Sequence, residues 1–140
     1  MAAHHPSLTV NRIGRHVSCY VRTRVVSRLS PWLSLSPLGA EYMIPVSHGE
    51  GRFVGPEEEL IRLFQNDQVA TRYVDASGEP TLSLPDNPNG SMHAIEGVTS
   101  PCGRIFGKMG HSERVGPFVG INVPGEKDQP LFASGVAYFR

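Results

Sequence analysis

The chain has no apolar run approaching the ~18 residues of a membrane span, and no secretory signal pattern opens it. No membrane partner is therefore expected. It also has no net charge. Thirteen Lys and Arg offset thirteen Asp and Glu, so no global field draws it to nucleic acid or to an anionic surface. Cysteine is scarce: Cys19 and Cys102 are too few for a disulfide framework, and two reduced thiols in a cytoplasmic protein are expected. Internal repeats and low-complexity tracts are missing too. What remains is a 140-residue chain of single-domain length, 39% hydrophobic, whose 15 Gly and 12 Pro predict many turns.

Residues 1–6 are polar and short and read as a disordered start, leaving residues 7–140 as the folded part. Residues 17–26 alternate as a strand, with Val17, Cys19, Val21, Thr23 and Val25 on one face. Ser30 and Pro31 supply an N-cap and a first-position proline for a short helical turn. Residues 41–47 form a second strand, which Pro45 assigns to an edge or an end. A helix starts at Pro56, with Glu57, Glu58 and Glu59 in its first turn and Leu60, Ile61, Leu63 and Phe64 as its apolar stripe. Residues 68–74, 93–99 and 104–109 read as strands, the last two joined by a hairpin turn at 100–103. A final helix from Asp128 to Phe139 is expected to bury Leu131, Phe132, Val136 and Phe139, with Gly135 packed closely on the sheet. The expected fold is α/β, a mixed sheet with few helices, opening as though the first half of a doubly wound domain were missing.

Three segments could carry chemistry. Ser47-His48-Gly49-Glu50-Gly51-Arg52 leaves a strand and precedes a helix, a position where open α/β sheets hold ligands and where glycines allow close backbone approach. A tight turn with exposed polar residues explains it equally well. Asn87-Pro88-Asn89-Gly90-Ser91 is rich in turn residues and reads first as a loop. Gly110-His111-Ser112-Glu113-Arg114-Val115 follows a strand and contains an imidazole and a carboxylate two residues apart. Those are two members of a nucleophile-base-carboxylate triad, in which the imidazole takes the nucleophile's proton and the carboxylate fixes its tautomer. His48, Glu50, His111 and Glu113 also invite a metal hypothesis. Neither pair has the helical i, i+4 spacing, and an Arg follows each within two residues, so no metal is expected. Ser47 and Ser112 lack a Gly-x-Ser-x-Gly elbow. Cys19 lies mid-strand, with neither flanking glycines nor a helix start to lower its pKa.

Taken together and in order, the three segments resemble the carboxy-terminal part of phosphoribosylformylglycinamidine synthase, a glutamine-dependent ligase of purine biosynthesis. Residues 11–16 and 22–26 look like the family's long single-chain form, and the resemblance runs from about Ser7 to Arg140. It implies part of a class I glutamine amidotransferase domain of flavodoxin-like fold, in which a cysteine attacks the side-chain amide of glutamine. His111 would then be the general base and Glu113 the carboxylate that orients it. Ser47, His48 and Gly49 match the segment that helps to hold glutamine, and Asn89 and Gly90 lie in a shared loop near the site.

The resemblance also implies partners and cofactors. Ammonia would pass to a separate domain that uses ATP and Mg²⁺, so this chain is expected to hold no cofactor itself. The nucleophile belongs to a Gly-x-Cys-x-Gly elbow upstream of the first matched segment, and neither Cys19 nor Cys102 aligns with it. The chain is therefore expected to need the missing amino-terminal parts of the synthase, and to be inactive alone. The alternative is a non-catalytic remnant or interaction subunit that keeps part of the fold.

Overall fold

The structure is a computed structural model, and it describes residues 5–140. The disordered start expected at 1–6 falls outside them for its first four residues, while Pro6 stands close to Gly55. In chain order the elements are β1 (Ser7–Thr9), β2 (Val17–Val25), a 3-10 turn (Pro31–Leu33), β3 (Glu41–His48), β4 (Arg52–Val54), α1 (Glu57–Gln65), β5 (Val69–Tyr73), a second 3-10 turn (Met92–Ala94), β6 (Ile95–Thr99), β7 (Phe106–Lys108) and α2 (Leu131–Phe139). Five strands form one sheet in the order β3-β2-β5-β6-β7, and β1 pairs with β4 in a separate two-stranded ladder. This is an α/β chain with few helices. Each ladder within the five-stranded sheet is antiparallel.

Strand β2 shows how alternation becomes architecture. Val17, Val21, Thr23 and Val25 are buried, while Arg22 and Arg24 on the opposite face meet Glu41 of β3 at 3.4 and 2.9 Å. Pro45 has no N–H to give a ladder, and β3 is indeed an edge strand. Part of its outer rim is nonetheless covered, because Met43 N–H donates to Glu126 O at 2.6 Å. The first 3-10 turn forms as expected, with the Ser30 hydroxyl accepting from Trp32 N. Val25, Leu33, Tyr42, Ile44, Ala70 and Leu131 make one core cluster, and Val17, Val21, Val46, Tyr73 and Ala94 a second.

Both helices differ from the sequence expectation in the faces they bury. In α1, Leu60 is buried against Val69 and Ile95, with Leu63 and Phe64 packed beside it, but Ile61 is exposed. Positions 60, 63 and 64 share a helical face, and 61 is rotated about 100° away from it. Helix α2 begins at Leu131 rather than Asp128, and it buries Leu131, Ser134 and Gly135. Phe132, Val136 and Phe139 stay more than half exposed, although the Phe139 ring lies beside Trp32 with centroids 5.7 Å apart. The reason is Trp32: a side chain at 135 would overlap its ring, so this indole, not the sheet, lies against the helix backbone. The face lacking bulk is the one that can receive it. Ser134 satisfies itself there, donating to Pro130 O at 2.7 Å and accepting from Leu35 N at 3.2 Å.

Candidate active site

His111 stands three residues beyond the end of β7, in the turn that leaves the sheet. Its backbone N–H donates to Pro45 O at 2.9 Å, which ties the turn to the middle of β3. Its Nδ1–H donates to Glu113 Oε1 at 2.8 Å. That bond fixes one tautomer and leaves Nε2 as the nitrogen free to take a proton. Partial burial pushes the Glu113 carboxyl up. Hydrogen bonds from its own amide and from His111, with the charges of His111 and Arg114, outweigh this and hold it below the usual carboxylate range. Both residues line a cleft of about 450 Å³, walled by Trp32, Phe106, Leu131 and Phe132. The cleft has the size of a small-ligand pocket, with an apolar wall and a polar imidazole at its edge.

The Ser47–Gly51 segment continues β3 and is held from two sides. Asn11 donates from Nδ2 to His48 O at 2.7 Å and to Arg15 O at 2.9 Å, while its Oδ1 accepts from Gly51 N–H at 3.0 Å. Its own backbone N–H reaches Gly49 O at 2.9 Å. From the other side, Asn89 Nδ2 lies 2.6 Å from His48 Nε2 and 3.1 Å from the Tyr73 hydroxyl. The Asn89 amide and the His48 ring thus share a hydrogen bond across 41 residues. Burial lowers the His48 pKa; the Asn89 bond and Glu96 oppose that, and the charges of His111 and His16 add to it. Ser47 Oγ meets the exposed ring of His16 at 3.1 Å. Gly90 adopts φ +77°, and its carbonyl accepts from Arg52 Nε at 3.2 Å.

The structure thus brings His111 and Glu113 into direct contact, and joins His48 to Asn89. The first pair lines the cleft; Ser47, His48, Gly49, Asn89 and Gly90 do not. Among the described residues, no group of three or more His, Cys, Asp or Glu side chains is arranged to hold a metal ion. Cys19 is half-buried and its thiol is pushed up by burial, whereas Cys102 lies on the exposed 100–103 turn.

Comparison with known proteins identifies the family. A family model described as a CobB/CobQ-like glutamine amidotransferase domain matches residues 1–139. The chain belongs to this family. It is 44% identical over 95 residues to the phosphoribosylformylglycinamidine synthase subunit PurQ of Thermomicrobium roseum, covering 68% of this chain and 39% of that one. It is 36% identical over 135 residues to the subunit of the same name from Picrophilus torridus, covering 96% of this chain and 52% of that one. Among solved structures it resembles PurLQS from Thermotoga maritima, with a TM-score of 0.71 and 29% identity over 96% of this chain and 53% of that one. The chain is therefore a PurQ-like amidotransferase domain in fold, and it spans about half the length of the proteins it matches.

Several residues that shape the cleft and the 47–51 turn escaped sequence reasoning. Trp32, Phe106, Leu131 and Phe132 wall the cleft, but they come from four separate segments and no spacing links them. Tyr73, fully buried, reaches Asn89 from a strand whose pattern signals only core; burial, reinforced by Glu96, pushes its phenol well above its usual value. Asn11 could have been noticed, since Asn preceding a turn glycine often bonds nearby backbone. Its longest reach, to the 48–51 loop, is tertiary.

Proposed function

We propose that this chain forms the base-bearing part of the glutaminase domain of a phosphoribosylformylglycinamidine synthase. The observation that carries the reading is the His111–Glu113 hydrogen bond at the edge of the cleft, with Nε2 left for proton transfer. Its similarity to PurQ subunits supports the pathway, and its similarity to PurLQS supports assembly with further synthase parts.

In this reading the nucleophilic cysteine comes from another segment of the synthase. His111 Nε2 takes the thiol proton, and the thiolate attacks the side-chain carbonyl carbon of glutamine. The imidazolium then gives that proton to the amide nitrogen, the C–N bond breaks, and ammonia leaves a thioester. Water, deprotonated by His111, attacks the thioester; glutamate departs and the thiol is restored. Glu113, kept ionised by its partners, holds Nδ1–H and stabilises the imidazolium at each stage. Ser47, His48, Gly49, Asn89 and Gly90 shape the glutamine-binding side. Ammonia moves to a partner domain of the cytoplasmic enzyme that uses ATP and Mg²⁺; no residue described here is assigned to either.

The test is complementation. The chain alone should not hydrolyse glutamine. Combined with the nucleophile-bearing half of a PurQ relative, it should form a thioester and release ammonia. His111→Ala should abolish turnover while leaving glutamine binding, and Glu113→Gln should lower kcat by roughly 10²- to 10⁴-fold. Glutaminase activity from the unaided chain that survives Cys19→Ser and Cys102→Ser would overturn the assignment.

A further inference from the structure

Behind the His111 turn lies a buried ion pair that the proton-transfer chemistry does not use. Glu96 of β6 is fully buried, and Lys108, the last residue of β7, is 9% exposed; Nζ and Oε1 are 3.7 Å apart. Each member fastens one neighbour of His111. Glu96 Oε1 accepts the Gly110 backbone N–H at 2.6 Å, while its Oε2 accepts from the Thr71 hydroxyl. Lys108 Nζ donates to Ser112 Oγ and to Gln129 Oε1, both at 2.8 Å, and Ser112 also donates to Gln129 at 2.7 Å. A Cβ at Gly110 would strike Ile44 and come within 3.0 Å of Glu96 Oε1, so only glycine lets the backbone reach the carboxylate. Burial lowers the Lys108 ammonium, and Glu96 opposes that fall.

We infer that the Glu96–Lys108 pair is a positioning device for His111, clamping residues 110 and 112 so that the imidazole stays on Glu113 with Nε2 toward the cleft. Stability alone does not explain the pair. Buried ion pairs are often no more stabilising than apolar residues of equal volume, because desolvation offsets their attraction. What an apolar pair could not do is bond two backbone-flanking positions in fixed directions. Glu96 and Lys108 act through the turn and touch no reacting atom. The catalytic half of the inference rests on the triad reading above; the positional half does not.

Long-range ¹H–¹⁵N spectra of the imidazoles in the labelled chain test the position directly. Wild type should show His111 as a single Nδ1–H tautomer. Lys108→Met should give averaged tautomer signals at His111 while His93 is unchanged. Because a lone buried carboxylate can unfold that variant, Glu96→Gln/Lys108→Met is the deciding one. It carries no buried charge and keeps an oxygen for Gly110, yet leaves Ser112 without the ammonium. A folded double variant that keeps the single Nδ1–H tautomer would overturn the inference. In the complemented enzyme the same variant should lose about tenfold to 10²-fold in kcat with KM for glutamine little changed. An inactive wild-type complement would refute the triad reading and leave the spectra to decide the position. An active complement whose kcat is untouched by the double substitution would refute the positioning role and leave the triad reading standing.

Discussion

The backbone of Gly51 lies directly against the imidazole of His48. A Cβ at residue 51 would overlap ring atoms Cδ2 and Nε2 and stand 2.8 Å from Asn89 Nδ2. The missing side chain is what lets the 48–51 turn, the Asn89 amide and the Tyr73 hydroxyl meet. Gly51→Ala should therefore destabilise the chain by about 1–3 kcal/mol in urea unfolding, as overpacking of a filled site does. Gly49, two residues earlier, has open space around its Cβ position. Gly49→Ala should stay within about 0.5 kcal/mol of wild type. Equal effects at the two glycines would contradict the packing described.

Asn11 is the second lock on the same turn. Its side chain accepts from one backbone amide and donates to two backbone carbonyls, and the residue is 1% exposed. Asn11→Ala should cost about 1–3 kcal/mol, because the Gly51 N–H loses its acceptor in a buried setting. Amide hydrogen exchange should accelerate at Gly51 before it does in β2. Uniform acceleration across the sheet would mean that Asn11 supports the whole fold rather than the loop.

The lowered pKa of His48 makes a signed prediction. As pH falls below the ordinary imidazole value of 6.5, the unfolded chain takes up this proton while the folded chain still resists it. Stability contributed by neutral His48 is complete above that value. It declines with falling pH until the folded-state pKa is reached. Urea unfolding at about pH 7.5 and about pH 5.5 should show a loss in wild type that is smaller in His48→Gln. The same loss in both would remove His48 as its source.

Gly135 and Trp32 can be checked optically, since the chain has one tryptophan. Trp32 Nε1 donates to Arg104 O at 2.7 Å while its ring covers Gly135. Gly135→Ala should push the indole outward, red-shift its emission and lower stability by about 1–3 kcal/mol. Unchanged emission would show that the ring does not rest on the helix backbone.

How far the sequence was legible depends on the range of the forces involved. Strands β2, β3, β5 and β6 were visible because alternation and the Pro45 constraint act within a few residues, and β7 because a hairpin turn at 100–103 joins it to β6. The short β1–β4 ladder was not, since its three-residue strands carry no period, no turn joins them, and they form only by pairing across 40 or more residues. Helix α2 was found, but its inward face was misread. Hydrophobicity named Leu131, which is buried, together with Phe132, Val136 and Phe139, which are exposed, while Trp32 packs onto Gly135.

The site divides along the same line. Sequence by itself determined the His-x-Glu pair at 111 and 113, because two residues of separation put the imidazole and the carboxylate within reach of one local turn. It likewise determined the turn-forming glycines and asparagines at 47–51 and 87–91, whose conformations are local properties. Only the tertiary structure decided that Asn89 meets His48 across 41 residues, that four unrelated segments wall the cleft, and that Glu96 and Lys108 face each other beneath the His111 turn. Those contacts depend on strand order and register, which are set by the burial of many side chains at once and leave no spacing in the chain to read.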